Sequence, residues 1–369
     1  MIAIPSVNPE NRDNVSAPYG EKEIAEFVAD WLRKTGAAVQ TQKVGPRRIS
    51  VLAVAESFKN KNADTVLLCA HMDTVNVEDM NIEPFVPGIR NGNLYGRGAC
   101  DDKGPLAAMM VAFRDRLAEG KLPCNVALLA TCGEEYDLLG SKYYVQHMRK
   151  KPTVIIIGEP TELKIGVAHK GALRLRLETH GKSAHSSTPE AGKNAIYSMG
   201  KALNLIEQFS QLLKSKERHE FFGTETIVTT TISGGQNINV IPDKCEAQID
   251  WRILPGHKVR ECYEELAQFL KSNFDGSHKL TLLNCFDAIE TKNEALAASF
   301  FEISQQITHS CEKLHMPYAT DASAWAEMNI PTVVVGPGSP AQAHSQKEHI
   351  CIDELEKGVM VYKLYLQSL

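Results

Sequence analysis

The sequence predicts an α/β protein in which a mostly parallel central sheet, flanked by helices, forms the larger domain and a smaller α+β domain is inserted into it. Four short apolar runs lack the alternation of a half-exposed strand, as expected for strands buried on both faces. They cover residues 66–70, 126–130, 154–157 and 332–335. Helical patterns separate the runs, which is typical of layered α/β folds.

The helices are predicted from apolar residues spaced three and four apart. One stripe spans residues 24–32 and includes Phe27, and another spans 106–117. Residues 142–150 and 294–308 are also predicted to be helical.

The pattern of apolar residues changes in the predicted inserted domain, residues 169–285. Leu173, Leu175 and Leu177 alternate with charged residues, which predicts a strand with one solvent-exposed face. Further strands are predicted at 226–233, 244–253 and 279–285, and helices at 194–216 and 258–273. The order β-α-β-β-α-β is ferredoxin-like. Residues 1–168 and 286–369 would then form the catalytic domain.

Composition and charge argue against nucleic acid and membranes as binding partners. A net charge of −5 argues against nucleic-acid binding, and no apolar run is long enough to span a membrane. The nine cysteines show no paired CxxC spacing, and the first residues show no secretory signal pattern. We therefore expect a reduced, cytoplasmic protein.

Residues able to bind metals or move protons follow each of the four apolar runs, and one more precedes the second helix. They are His71, Asp73, Glu134, Glu135, Glu159, His344 and Asp101. Each alone has an ordinary explanation, such as a helix cap or a solvated loop. In open α/β sheets, however, ligands bind beyond the carboxyl ends of the strands. The coincidence at four strand ends therefore favours a catalytic metal site.

The donor types restrict the metal. Histidines and carboxylates without cysteine suit zinc, cobalt or manganese. Four strand ends supply more donors than one ion needs, so we expect two ions, a bridging carboxylate and one carboxylate free to act as general base.

The motifs resemble those of the di-zinc metallopeptidase and aminoacylase family over nearly the whole chain. The early motifs are His71-Met72-Asp73-Thr74-Val75, residues 95–104 and Gly133-Glu134-Glu135. Later motifs, which look most like acetylornithine deacetylases, are Gly158-Glu159-Pro160-Thr161, the segment 181–187, the segment 250–256 and the segment 336–344. The family also contains desuccinylases, aminoacylases, dipeptidases and a carboxypeptidase.

The resemblance implies a zinc-peptidase-like catalytic domain with two Zn²⁺ per chain, for which Co²⁺ or Mn²⁺ could substitute. His71 and Glu159 would bind one ion, and Glu135 and His344 the other, with Asp101 bridging. Glu134 would be the general base for attack of an activated water on an amide. Asp73 would hold the far ring nitrogen of His71.

The resemblance also assigns roles within the inserted domain. His185 would lie near the developing oxyanion, Arg252 would bind the substrate α-carboxylate, and Asn239 would contact substrate. Dimerisation through this domain would carry His185 to the active site of the partner chain. The peptide bond after Asp101 is expected to be cis.

The resemblance is compatible with two classes of substrate. An N-acyl-α-amino acid, first of all N-acetylornithine, is the expected substrate, and a dipeptidase or carboxypeptidase is the alternative. Asp102 favours the alternative, because acetylornithine deacetylases more often have Met there. The family also has more chain before Ile4 than this sequence shows. A non-catalytic binding protein would have lost a ligand or the base, and none is missing.

Overall fold

The computed structural model describes residues 1–10, 12, 15–57, 63–120, 122–216 and 218–369. The chain forms two compact units. Unit 1 comprises Met1–Ala168, Glu290–Leu314 and Thr320–Leu369, and unit 2 comprises His169–Ile289 and His315–Ala319. Unit 2 begins where the inserted domain is predicted to begin and ends at Ile289 rather than 285. The boundary of an independently folding domain stays a prediction.

Helices and strands alternate through most of the chain. The helices are α1 (Lys22–Arg33), α2 (Lys103–Ala118), α3 (Leu139–His147), α4 (Ala195–Ser215), α5 (Val259–Asn273), α6 (Glu294–Thr308) and α7 (Ile352–Ser368), with 3₁₀ turns at Pro189–Ala191 and Asp321–Met328. The strands are β1 (Ala38–Gly45), β2 (Arg48–Ala55), β3 (Thr65–His71), β4 (Gly88–Arg90), β5 (Asn93–Tyr95), β6 (Asn125–Thr131), β7 (Val154–Ile157), β8 (Ile165–His169), β9 (Gly171–His180), β10 (Ala184–His185), β11 (Thr226–Gly234), β12 (Val240–Ile241), β13 (Lys244–Ile253), β14 (His278–Phe286), β15 (Ile289–Glu290), β16 (Lys313–Met316), β17 (Thr332–Val334) and β18 (His349–Cys351). Within the described ranges, no helix has both the length and the apolar character that crossing a bilayer requires.

The main sheet has the order β1-β2-β6-β3-β7-β17-β8-β15, with β16 beside β8. Its centre, β6-β3-β7-β17, is parallel throughout and consists of the four apolar runs. Every residue of β6 is buried. The predicted mostly parallel sheet is thus confirmed. The antiparallel hairpin of β1 and β2 was not among the predicted strands.

Four helices of unit 1, namely α1, α2, α6 and α7, bury their apolar faces in one core with the sheet. In α1, Ile24, Val28 and Leu32 are fully buried, but Phe27 is 41% exposed. The prediction that Phe27 belongs to the buried stripe is therefore wrong. Ala25 and Ala29 widen the buried stripe on its other side, which moves its centre away from Phe27.

Unit 2 contains a four-stranded antiparallel sheet with the order β11-β13-β9-β14. Leu173, Leu175 and Leu177 are fully buried in its core together with residues of α4 and α5. This is the predicted ferredoxin-like order of elements. Strand β11 lies at the edge of the sheet and exposes Val228 and Ile232.

Candidate metal centre

The strand order of unit 1 brings the predicted ligands together. His71 ends β3, the pair Glu134 and Glu135 follows β6, and Glu159 follows β7. These three strands are parallel neighbours, so their carboxyl ends lie at one edge of the sheet. One donor atom each from His71, Glu134 and Glu159 lies within 4.8 Å of the other two. The same holds for His71, Asp101 and Glu135.

Asp101 lies between the two histidines. Its Oδ1 is 2.9 Å from Nε2 of His71, and its Oδ2 is 3.2 Å from Nε2 of His344. Nε2 of His344 is also 3.0 Å from Oε2 of Glu135. Asp101 is 8% exposed; its contact with the fully buried His71 is shielded from water, whereas His344 reaches it from the surface. A carboxylate that presents one oxygen to each side is suited to bridging two cations.

Asp102 is a further acidic residue of this cluster. The peptide bond between Asp101 and Asp102 is cis, as the resemblance implies. Oδ2 of Asp102 accepts a hydrogen bond of 3.0 Å from the backbone N–H of His71. Donor atoms of Asp101, Asp102 and Glu159 lie within 4.8 Å of one another.

Several buried oxygens in the cluster lack a hydrogen-bond partner among the described residues. They include Oδ1 of Asp102, Oε1 of Glu135 and Oε1 of Glu159. An unpartnered buried carboxylate oxygen is costly, and a divalent cation would satisfy it. The imidazole nitrogens and carboxylate oxygens present here match the preferences of zinc, cobalt and manganese. The residues therefore fit a metal centre.

The electrostatics of the cluster favour cations. Burial, together with neighbouring carboxylates, raises the pKa of Glu134 and of Glu159 well above the ordinary value. Hydrogen bonds to Asp101 and Glu135 raise the pKa of His344 to about 11. Burial works to raise the pKa of Asp101, but hydrogen bonds from both histidines outweigh it, and the pKa lies below its usual range. Carboxylates outnumber histidines here, so the cluster attracts protons or metal ions.

Asp73 contacts the far ring nitrogen of His71 through its main chain. Nδ1 of His71 is 2.9 Å from the main-chain oxygen of Asp73, whereas its carboxylate is 3.7 Å away. The carboxylate instead accepts backbone N–H groups from Gly133, Glu134 and Glu135 at 2.8, 3.1 and 3.2 Å. The side chain turns to the loop after β6 because β6 is the parallel neighbour of β3. Asp73 thus fixes the glutamate pair relative to His71.

Glu348 is a site residue that the sequence analysis missed. It is fully buried, and its Oε1 accepts the backbone N–H groups of Cys100 and Asp101 at 2.8 and 2.9 Å. Its Oε2 accepts Gly98 N–H at 3.0 Å and Nη1 of Arg97 at 2.8 Å. Glu348 therefore holds the loop that carries Asp101. No local pattern distinguishes it from the polar residues around it.

Asp321 is a second missed residue. It is 1% exposed, and its Oδ2 accepts a hydrogen bond of 2.5 Å from Oγ1 of Thr131, at the end of β6. Burial raises the pKa of its carboxyl group. Its negative charge acts on Glu134 and His71 and raises the pKa of Glu134, so it adds to the negative potential of the centre.

The three predicted residues of the inserted domain lie in unit 2. His185 is exposed on β10, and its Nδ1 is 2.7 Å from Oγ of Ser187. The next backbone N–H, of Ser186, donates to the main-chain oxygen of Asn239 at 2.9 Å. His185 and Asn239 are therefore neighbours. Arg252 lies on β13, where its Nε donates to Oδ1 of Asp250 at 2.7 Å.

The chain is similar to proteins of one known family. The model of peptidase family M20/M25/M40 matches residues 67–368. An acetylornithine deacetylase of Pasteurella multocida is 31% identical over 341 residues, which cover 91% of this chain and 88% of the relative.

Two solved structures share the fold. An M20 family metallo-carboxypeptidase of Sulfolobus solfataricus superimposes with a TM-score of 0.78 at 20% identity and covers 99% of this chain and 96% of its own. A dinuclear metal-binding M20 peptidase of Bacillus subtilis has a TM-score of 0.70 at 14% identity, with coverage of 100% and 96%. At these identities the likeness concerns the fold alone.

Proposed function

The chain belongs to peptidase family M20/M25/M40, and on that premise we propose that it is a cytoplasmic two-metal hydrolase that removes the acyl group from an N-acyl-α-amino acid. The observation that supports the chemistry is the buried cluster around Asp101, which contacts both histidines. The cytoplasmic location is supported by the nine cysteines, all of which are free thiols.

We propose that five residues hold the metal ions. His71 and Glu159 would bind one ion, Glu135 and His344 the other, and Asp101 both. Zn²⁺ suits these donors, and Co²⁺ or Mn²⁺ could substitute. When bound, such a pair polarises an amide carbonyl and lowers the pKa of a water molecule.

Glu134 would carry the proton. Its backbone N–H is held by Asp73, so its position is set by the fold. It would take a proton from the attacking water and give it to the departing amine, which a single carboxyl group can do in sequence. Burial and the nearby negative charge of Asp321 raise the pKa of the Glu134 carboxyl group. The group can therefore hold the proton between these two steps.

The residues of unit 2 would bind the substrate. The guanidinium of Arg252 suits the α-carboxylate of an amino acid, because it can donate two parallel hydrogen bonds. His185 would donate to the carbonyl oxygen as it gains negative charge, and Asn239 would contact the substrate beside it.

Association of two chains through unit 2 would complete the catalytic machinery. Strand β11 is an edge strand of its sheet and exposes Val228 and Ile232. Exposed edge strands of this kind favour pairing with another chain. We propose a homodimer in which His185 serves the metal centre of the partner chain.

Two observations bear on the acyl group and the side chain of the substrate, and they favour different substrate classes. The relative from Pasteurella multocida is named an acetylornithine deacetylase, which supports N-acetylornithine. Asp102, directly after Asp101, supports the alternative of a dipeptidase or carboxypeptidase, and the neighbour from Sulfolobus solfataricus is named a metallo-carboxypeptidase. In either case the partner molecule is a small amide.

A substrate panel tests the proposal. Initial rates would be measured on N-acetylornithine, succinyl-diaminopimelate, several N-acetyl amino acids and several dipeptides, each with Zn²⁺ and with Co²⁺. We expect the highest kcat/KM with an N-acetyl amino acid. Higher values on dipeptides would establish the alternative, and no hydrolysis of any amide would contradict both.

A further inference from the structure

A second cluster of metal-binding side chains lies within unit 2. Donor atoms of Glu225, His257 and Cys262 lie within 4.8 Å of one another. Glu225 directly precedes β11, His257 lies in the turn between β13 and α5, and Cys262 lies in the first turn of α5. None of these residues belongs to the centre in unit 1.

Glu225 is oriented in advance. It is 4% exposed, and its Oε2 accepts a hydrogen bond of 3.2 Å from Nε1 of the fully buried Trp251. Its Oε1 accepts the backbone N–H of Leu254 at 3.4 Å and lies 2.6 Å from Nδ1 of His257. Hydrogen bonds that fix a ligand carboxylate are a regular feature of metal sites and raise affinity.

The contact between Glu225 and His257 resembles those of the centre in unit 1. There, imidazole nitrogens lie 2.9, 3.0 and 3.2 Å from carboxylate oxygens. In unit 2 the corresponding distance is 2.6 Å. Zinc bonds of roughly 2.0–2.3 Å place tetrahedral donors roughly 3.3–3.6 Å apart. An increase of under roughly 1 Å in the distance between these two side chains would therefore make room for an ion.

Cys262 determines the type of metal. Its side chain is 6% exposed, and burial raises the pKa of the thiol to about 12. The acidic side chains around it, Glu225, Glu261 and Glu265, act in the same direction and disfavour the thiolate in the absence of a cation. Sulfur, nitrogen and oxygen donors together select zinc-like ions and reject magnesium and calcium.

We propose that Glu225, His257 and Cys262 bind one divalent cation of the zinc class within unit 2. The side chain of His257 is 42% exposed, so the ion can enter from solvent and take water as its fourth ligand. Binding releases the thiol proton of Cys262. The ion links the segment before β11 to the start of α5.

Cobalt titration of the full chain under reducing conditions tests this site. Co²⁺ bound to a thiolate gives a near-ultraviolet charge-transfer band, whereas Co²⁺ bound only by nitrogen and oxygen does not. We expect the band in the wild type and its loss in Cys262→Ser, which should also bind one Co²⁺ fewer per chain. Cys245→Ser is the matched control, because Cys245 is an equally buried thiol of unit 2 outside the cluster. It should retain the band.

The outcome is independent of the proposed hydrolase activity. Asp101→Ala, which removes the bridging carboxylate of unit 1, should keep the band, and Cys262→Ser should keep amide hydrolysis. His257→Gln should weaken the cobalt affinity at least tenfold. A wild type without the band, or a band unchanged in Cys262→Ser, would overturn the site and leave the hydrolase proposal intact.

Discussion

The candidate residues of unit 1 and unit 2 are held in different ways. In unit 1, Asp101 contacts His71, 30 residues away, and its loop is bonded to Glu348, 247 residues away. In unit 2, His185 contacts Ser187, and Arg252 contacts Asp250, each only two residues along the chain. Apart from the exposed His344, the first set is largely buried, and its side chains contact distant parts of the chain. The side chains of the second set are exposed or half-exposed and contact residues close by in the sequence.

This difference indicates that the two sets of residues have separate roles. A metal centre needs ligands that are positioned before the ion arrives, which buried long-range hydrogen bonds provide. Groups that bind substrate and transition state can be ordered at the moment of binding. We therefore expect substitutions of the proposed metal ligands in unit 1 to affect metal content. Substitutions of His185 or Arg252 in unit 2 should affect rates while the ions of unit 1 are retained.

The largest effect is expected at Glu134, which would be an exception within unit 1. Glu134→Gln should lower kcat by roughly 10²–10⁴-fold, because a general base is lost, yet retain both ions. Glu135→Gln is the matched control and should lose metal, because Glu135 contacts His344. Elemental analysis and steady-state kinetics distinguish the two variants. The opposite pattern would show that their roles are exchanged.

His185 gives the next largest effect and tests unit 2. His185→Ala should lower kcat by roughly 10²–10³-fold, the usual loss of an oxyanion donor, without loss of metal.

A mixing experiment separates action within one chain from action on the partner. Glu134→Ala and His185→Ala chains, refolded together, should regain activity, because one site of each hybrid then has both residues. Hybrids that light scattering shows to be dimers and that stay inactive would place the action of His185 within its own chain or exclude it.

Glu348 gives a smaller effect. Glu348→Gln should weaken metal affinity by roughly 10–100-fold, the range for residues that orient metal ligands. Glu354→Gln is the control, since Glu354 accepts the backbone N–H of Gly338 rather than that of Asp101, and it should change the affinity less. Competition with a metal indicator gives both values. Equal affinities in wild type and Glu348→Gln would contradict the positioning role.

The same contrast explains how much the sequence predicts. The runs that form β3, β6, β7 and β17 are recognisable because buried parallel strands are continuously apolar. Once their ends are placed at one edge, the approach of His71, Glu134 and Glu159 follows. In unit 2, the alternation of leucines with charged residues predicts β9. The ferredoxin-like order then follows from the succession of predicted strands and helices.

The supporting hydrogen bonds are beyond local patterns. Glu348 binds Cys100, which is 248 residues away in the sequence, and Asp73 binds Gly133, which is 60 residues away. The sequence around Glu348 or Asp73 therefore does not indicate its partner. The direction of the Asp73 carboxylate depends on which strand lies beside β3. The helix α1 shows the same limit on a smaller scale, because the alanines of its buried face outweigh the larger Phe27.

Metal removal tests the central claim most directly, namely that the sheet edge of unit 1 is a two-metal hydrolytic centre. The protein would be dialysed against a chelator, analysed for metal and assayed for hydrolysis of its best amide substrate. To exclude the cluster in unit 2, the experiment would be done in Cys262→Ser. We expect activity to disappear and to return on addition of two equivalents of Zn²⁺ or Co²⁺. Full activity in a preparation that elemental analysis shows to be metal-free would contradict the account.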